Sequence, residues 1–339
     1  MKSRLFAALL VSAVLLTGQT KKILIVGQTD EIVADWQTAS DKVKLMRISR
    51  ENVENVMDEI ADAHALIGSI KPEWVRAGKK LEWTQTTSAG VENVLHRSGS
   101  NDLRDSDIVL TNNQVVQGPE IADHAMAMLL SLTREIPKWL KLKGEERWQG
   151  RPRNLFELNT KTAVVIGVGG IGRQISLRAW AHGMKVIGVD PEDMPFTPYI
   201  ERVVKPDQLD DVIGLADVVF MSAPHTPKSH KMVGPAQFEL MKKGSYFIAV
   251  SRGGTYDLGA LVKALDSERL AGTGVDVTDP EPLPKGHALW QFENAIITPH
   301  IAGRSDLDQA RMLGTVKENI RRFAEGLPLL NVVDKQKGY

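Results

Sequence analysis

The stretch VVIGVGGIGRQI constrains this chain more than any other. An apolar run breaks into Gly167, Gly169 and Gly172, then resumes as a helical pattern. That G-x-G-x-x-G spacing, set between a strand and a helix, is what a dinucleotide needs of a backbone. Gly167 allows a tight turn, Gly169 lets the main chain approach a pyrophosphate, and Gly172 lets helix and strand pack closely. The helix beginning there, with Gly170 and Ile171 in its first turn, directs unpaired N–H groups at the phosphates. Three glycines alone are a weak signal, and the plain alternative is a glycine-rich turn with no ligand. Asp190 strengthens it. It ends the next apolar run, VIGVD, 18 residues after Gly172, where a carboxylate accepts hydrogen bonds from ribose hydroxyls and repels a 2′-phosphate. The segment DPEDMP holds no basic residue, so NAD is expected in preference to NADP.

The loop heads an alternating series that begins at Lys161: TAVVIGVGGIG, KVIGVD, VVFMSAP, SYFIAVSRGG, GTGVDV and AIITPH. Short apolar runs separated by helical patterns read as a parallel, doubly wound α/β sheet. A separate set precedes it, in KKILIVG, VKLMRIS, ALIGS, LEWTQTTSAGVENV and IVLTNN. Two such sets in 339 residues suggest two domains. The last helical pattern, from about Arg304 to Gly326, could pack on either. Between the sets lies PEIADHAMAMLLSLTREIPKWLKLK, in which Ile121, Ala125, Met128, Leu129 and Leu132 recur at helical spacing. Its other faces carry Ala and Met, so the helix is expected to be buried inside the chain or against a second subunit. His124 reads as a packed or capping residue.

Basic and acidic residues balance at 42 each, which gives no global field for nucleic acid. The absence of cysteine removes disulfides, thiolate zinc sites and thiol nucleophiles, and no metal site is expected. The first residues stand apart: Lys2 and Arg4 precede an uncharged apolar run from Leu5 to Leu16, the pattern of a secretory signal. Residues 1–20 are therefore excluded from the fold, and export to the periplasm is expected, with no stable membrane association once the leader is removed. The alternative is a misassigned start and a cytoplasmic protein.

Three later stretches place titratable groups at strand ends of the second series: Arg252 in AVSRGG, Asp276 and Glu281 in GVDVTDPEPLP, and His300 in TPHIAG. That edge is where open α/β sheets bind ligands. Singly each group has a plain reading as a surface cation, a solvated acid or a packed histidine. Together they suit hydride transfer to a keto carbon. An imidazolium supplies the proton the oxygen needs, a carboxylate stabilises and orients the ring, and an arginine fork holds an adjacent carboxylate. The set suggests a 2-keto acid.

With TTSAGVENV, IADHAMAMLL, GVGGIG, FELMKKGSYFIAVSRGG, GVDVTDPEPLP and TPHIAG in that order, the chain from residue 21 onward resembles the D-isomer-specific 2-hydroxyacid dehydrogenase family. The resemblance implies a flavodoxin-like substrate-binding domain, residues 21–112 plus 299–339, into which a Rossmann NAD-binding domain, residues 113–298, is inserted. It implies that Arg252, Glu281 and His300 are catalytic, and that the amides of Ala89 and Gly90, with Ser69, meet the substrate. Pro224, Thr226, Val250, Ser251, Arg252, His300 and Gly303 would join the glycine loop and Asp190 around the cofactor, with Asp276 facing the nicotinamide amide. A homodimer through residues 113–148 is implied, as is reduction of glyoxylate, hydroxypyruvate or a similar small acid. Phosphite, formate or a 3-phosphoglycerate-type acid remain alternative substrates, and a non-catalytic NAD(H)-sensing scaffold an alternative role. Two residues depart from the family pattern: Asp123 where Glu is usual, and His225, near the adenosine side, where an aliphatic residue is common.

Overall fold

The computed structural model describes residues 20–148, 150–152 and 155–339, so the expected leader lies outside the described residues apart from residue 20. Two parallel sheets make up the chain. The first holds β1 (Lys21–Val26), β2 (Val43–Ile48), β3 (Ala65–Ile67), β4 (Trp83–Gln85) and β5 (Val109–Thr111), in the order β2-β1-β3-β4-β5. The second holds β6 (Thr162–Ile166), β7 (Lys185–Val189), β8 (Arg202–Val204), β9 (Val218–Met221), β10 (Ser245–Ala249), β11 (Leu270–Val275) and β12 (Ala295–Ile297), ordered β12-β11-β10-β9-β6-β7-β8.

Alternation along each strand explains why these runs are apolar throughout. In the seven-stranded sheet Val164, Ile166, Val219, Met221, Phe247 and Ala249 face one core. Their neighbours Ala163, Val165, Val218, Phe220, Tyr246 and Ile248 face the other. Helices cover both faces, so neither set of alternate residues can be polar. The five-stranded sheet repeats this, with Leu24, Leu66 and Leu110 on one side and Ile23, Ile25, Ile67 and Trp83 on the other. Each order reverses once, between β6 and β9 and between β1 and β3. At such a reversal the loops diverge and leave a crevice at the carboxyl edge.

The last helix, Asp308–Glu325, packs on the five-stranded sheet through Val316, Ile320 and Phe323, with Phe323 and Trp83 ring centroids 5.1 Å apart. A buried polar chain fixes it there. Asn319 Nδ2 donates to Gln85 Oε1 (2.8 Å), which also accepts from Thr111 Oγ1 (2.7 Å), and Thr111 Oγ1 accepts from Trp83 Nε1 (2.8 Å). The chain therefore crosses between sheets twice, once after β5 and once after β12. At the first crossing Val115 takes φ +73°, a conformation that a β-branched residue adopts only under constraint. Gly170 gives it room, since an added Cβ there would stand 2.6 Å from Val115 Cα.

The apolar helix Gly118–Thr133 is covered by its own chain. Ile121, Ala122, Ala125, Met126, Met128 and Leu129 are all buried, in one core with Val165, Ile175, Ala179 and Ile248. Its apolar surround therefore does not call for a second subunit. Exposed apolar side chains appear beyond it, at Ile136, Leu140 and Trp148. Among the described residues no helix is long and apolar enough to cross a membrane. Because Ile320 is fully buried against the five-stranded sheet, Ile320→Ala should cost about 2–5 kcal/mol. Chemical denaturation followed by tryptophan fluorescence checks this, and a loss below about 1 kcal/mol would mean that the last helix is not part of that core.

Candidate active site

Steric demands at the β6 turn account for two of the glycines. Gly167 has φ +88°, and an added Cβ would stand 2.5 Å from Ala223 N. A Cβ on Gly172 would overlap the carbonyl oxygen of Gly167. Gly169 differs, because a Cβ there would meet nothing within 4 Å. Its glycine is needed for what approaches from outside. Gly170 and Ile171 open the helix Gly170–Ala181 behind it, whose first N–H groups lie at the crevice between β6 and β9. Asp190 directly follows β7 and is held by two loop amides, Val168 N to Oδ2 at 2.7 Å and Glu192 N to Oδ1 at 2.9 Å. A carboxylate keeps further lone pairs for ribose hydroxyls. These features fit an extended dinucleotide.

The ribose end holds cations that DPEDMP did not reveal. Lys205 Nζ reaches Pro191 O (2.9 Å) and Asp193 (2.7 Å), and Lys337, from the far end of the chain, pairs with Glu192 at 2.7 Å. Both are already paired with carboxylates of that loop. After β9, Pro224 is exposed, whereas the Thr226 N–H donates to Ser229 Oγ at 2.8 Å inside a buried turn. His225 lies on the loop after β9. Its ring covers Gly254, where an added Cβ would stand 2.6 Å away, and its Nε2 is 3.0 Å from His230 Nδ1. Burial and the neighbouring His230 push its pKa below the ordinary histidine value. Val250 and Ser251 are buried just past β10, and Ser251 Oγ has no hydrogen-bond partner among the described residues.

The turn after β12 is built around Asp276. Its Oδ1 accepts from Thr298 Oγ1 (2.6 Å) and Ile301 N (2.9 Å), its Oδ2 from Ala302 N (2.9 Å), and its backbone oxygen from His300 N (2.9 Å). The carboxylate is out of contact with water. It anchors the turn that carries the imidazole. His124, on the buried helix, supports the same turn through Thr298 at 2.9 Å. Held this way, His300 adopts φ +55°, the left-handed region where histidine is among the better tolerated side chains. Its Nδ1 lies 2.9 Å from Glu281 Oε2, and the ring is 44% exposed. Glu281 is fixed in turn by Thr278 N at 3.1 Å from Oε1.

The five-stranded sheet contributes the facing wall. Asn112 Nδ2 donates to Ala89 O (2.7 Å) and Asn113 Nδ2 to Thr87 O (3.0 Å), which pins the loop after β4. The N–H groups of Ala89 and Gly90 make no hydrogen bond within the described residues. Arg252 crosses to this wall: Nε donates to Glu92 Oε1 at 2.7 Å, Nη1 donates to Ser251 O at 2.8 Å, and Nη2 lies against Gly90. Ser69 is exposed after β3, and Gly303 is held by Gln117 at 2.9 Å. The arrangement offers an anion site of amides and guanidinium, an acid–base pair, and a crevice for a dinucleotide.

A family model described as "D-isomer specific 2-hydroxyacid dehydrogenase, NAD binding domain" matches residues 126–302. The chain belongs to the D-isomer specific 2-hydroxyacid dehydrogenase family. A solved family member from Aeromonas salmonicida is 28% identical with a TM-score of 0.76, over 93% of this chain and 99% of that one. A glyoxylate reductase from Paecilomyes thermophila is 25% identical with a TM-score of 0.78, over 94% and 99%. A D-3-phosphoglycerate dehydrogenase of Archaeoglobus fulgidus is 29% identical over 83% of this chain and 53% of its own length. The chain thus spans about half the length of the curated relatives it matches.

Within this dehydrogenase family fold, sequence reasoning missed Glu92, Asn112, Asn113 and Lys337. The pair of asparagines ending TNN was the one local signal. We expect Gly169→Val to leave thermal unfolding within about 2 °C of wild type while abolishing NADH binding, since its side chain enters open space. Fluorescence titration with NADH checks this, and unchanged binding would place the dinucleotide elsewhere.

Proposed function

We propose that the chain is an NAD-dependent oxidoreductase that transfers a hydride between NADH and C2 of a small 2-keto acid, of the glyoxylate or hydroxypyruvate class. The observation that carries this reading is the 2.9 Å contact between His300 Nδ1 and Glu281. With Nδ1–H donating to the carboxylate, Nε2 is the ring atom left for a reacting oxygen. The glyoxylate reductase among the similar structures supports the substrate class.

The cofactor, when bound along the glycine loop, supplies or accepts the hydride. Arg252 and the free amides of Ala89 and Gly90 hold the acid's carboxylate and fix the position of its carbonyl. His300 gives its Nε2 proton to the carbonyl oxygen as charge develops there, and takes one from the hydroxyl in the reverse direction. Glu281 holds the ring orientation and stabilises its protonated form. Asp276 keeps the turn rigid without touching the reacting atoms. Pairing of two chains through residues 113–148 belongs to the same proposal, with exposed Ile136, Leu140 and Trp148 as its support.

His300→Ala should lower kcat by about 10²–10⁴ with NADH binding retained. A panel of 2-keto acids, including a 3-phosphoglycerate-type acid, assayed by NADH oxidation checks it. Equal turnover in variant and wild type would remove His300 from the chemistry, and tight NADH binding with no turnover would favour the sensing scaffold. Asp190 and Glu192 at the ribose end, with Lys205 and Lys337 engaged, favour NADH over NADPH by about tenfold or more in kcat/KM. Equal kcat/KM for the two would contradict this.

A further inference from the structure

Glu92 is absent from the set of residues that the reaction requires, yet it makes the closest contact with one of them. It begins the short helix Glu92–Leu95 on the five-stranded domain, and Arg252 lies three residues past β10 on the other domain. Their side chains meet at 2.7 Å and are largely withdrawn from water, 19% exposed for Glu92 and 30% for Arg252. Burial pushes the Glu92 carboxyl up, but the guanidinium outweighs it and holds the group below the usual carboxylate range. The pair is therefore charged at neutral pH.

The edge that Glu92 takes is informative. A guanidinium has five N–H donors in a fixed plane. Glu92 accepts from Nε, and the Ser251 carbonyl accepts from Nη1. Nη2 is left against Gly90, beside the free amides of Ala89 and Gly90. An added Cβ on Gly90 would overlap Arg252 Nη2 and stand 2.5 Å from Glu92 Oε2. Absence of a side chain at position 90 is thus what allows guanidinium and carboxylate to share this seat. An unpartnered arginine would sample many rotamers across the cleft, and fixing one in advance removes that entropy from the binding step.

We propose that Glu92 is a positioning residue for Arg252. It grips the Nε edge so that Nη2 and the loop amides form one preset carboxylate site, assembled only when the two domains meet. This rests on the keto-acid reading above, and it adds that the anion site draws on both domains. Glu92 touches neither substrate nor dinucleotide, so its loss falls on the acid alone.

The test compares Glu92→Ala and Glu92→Gln with wild type, using NADH with glyoxylate for turnover and oxamate, an unreactive 2-keto acid mimic, for binding to the NADH-loaded protein. Glu92→Ala should raise the glyoxylate KM and the oxamate Kd about tenfold or more, with kcat and the NADH KM within about twofold. Glu92→Gln keeps an acceptor for Nε–H and should recover most of the loss. Unchanged acid affinity in Glu92→Ala, a lowered KM from release of a competing anion, or a loss confined to kcat or NADH would each overturn the proposal. Wild type that binds oxamate without turning over any acid would sink the functional reading alone, and the oxamate series would still decide the role of Glu92. Wild type that does neither would end both.

Discussion

The carboxylate of Asp276, shut away from water at the end of β11, is the interaction on which the site depends. Three donors from the β12 turn converge on it, and its own backbone oxygen receives the His300 amide. Hydrogen bonds to a charged acceptor contribute about 1.5–3 kcal/mol each, enough to hold a histidine backbone in the left-handed region. That strain is local and has a use. It turns the imidazole back toward Glu281 at the point where the chain leaves one domain for the other. Without the buried acid, neither the ring orientation nor the path of the crossing segment would be specified.

The second constraint is topological. Inserting one doubly wound domain into another brings the carboxyl edges of two parallel sheets to a common cleft, so groups from distant parts of the chain meet there. Arg252 and Glu92 join the domains on the side of β10, and Lys337 and Glu192 join them at the ribose end. Arg311 and Glu120, 2.9 Å apart, tie the last helix to the helix after the first crossing. The Lys337–Glu192 pair is half exposed and individually modest, whereas Glu92 and Glu120 are largely withdrawn from water. The pairs are spread around the cleft, so the two sheets are joined at several separate points.

The local part of this arrangement was legible in the sequence. The glycine loop and Asp190 could be read because their demands are steric and their spacing is fixed by one strand–helix–strand unit. His300 and Glu281 could be read because residues just past apolar runs fall at the edge where ligands bind. What failed to show needs tertiary placement. Glu92 lies 160 residues from its partner. The lysines at the ribose loop come from just after β8 and from the last residues. The contacts of His225 with Gly254 and of Asp276 with the β12 turn did not show either, because strand position does not give side-chain direction after the turn. The helix Gly118–Thr133 could be buried inside the chain or against a second subunit on its pattern alone, and its own chain covers most of its apolar side chains.

The most direct test is the geometry of a ternary complex with NADH and oxamate. The account requires the oxamate carboxylate on Arg252 and the amides of Ala89 and Gly90, with its oxo group about 3 Å from His300 Nε2 and the nicotinamide ring alongside. A complex in which the dinucleotide bypasses the glycine loop, or oxamate binds away from the imidazole, would contradict it.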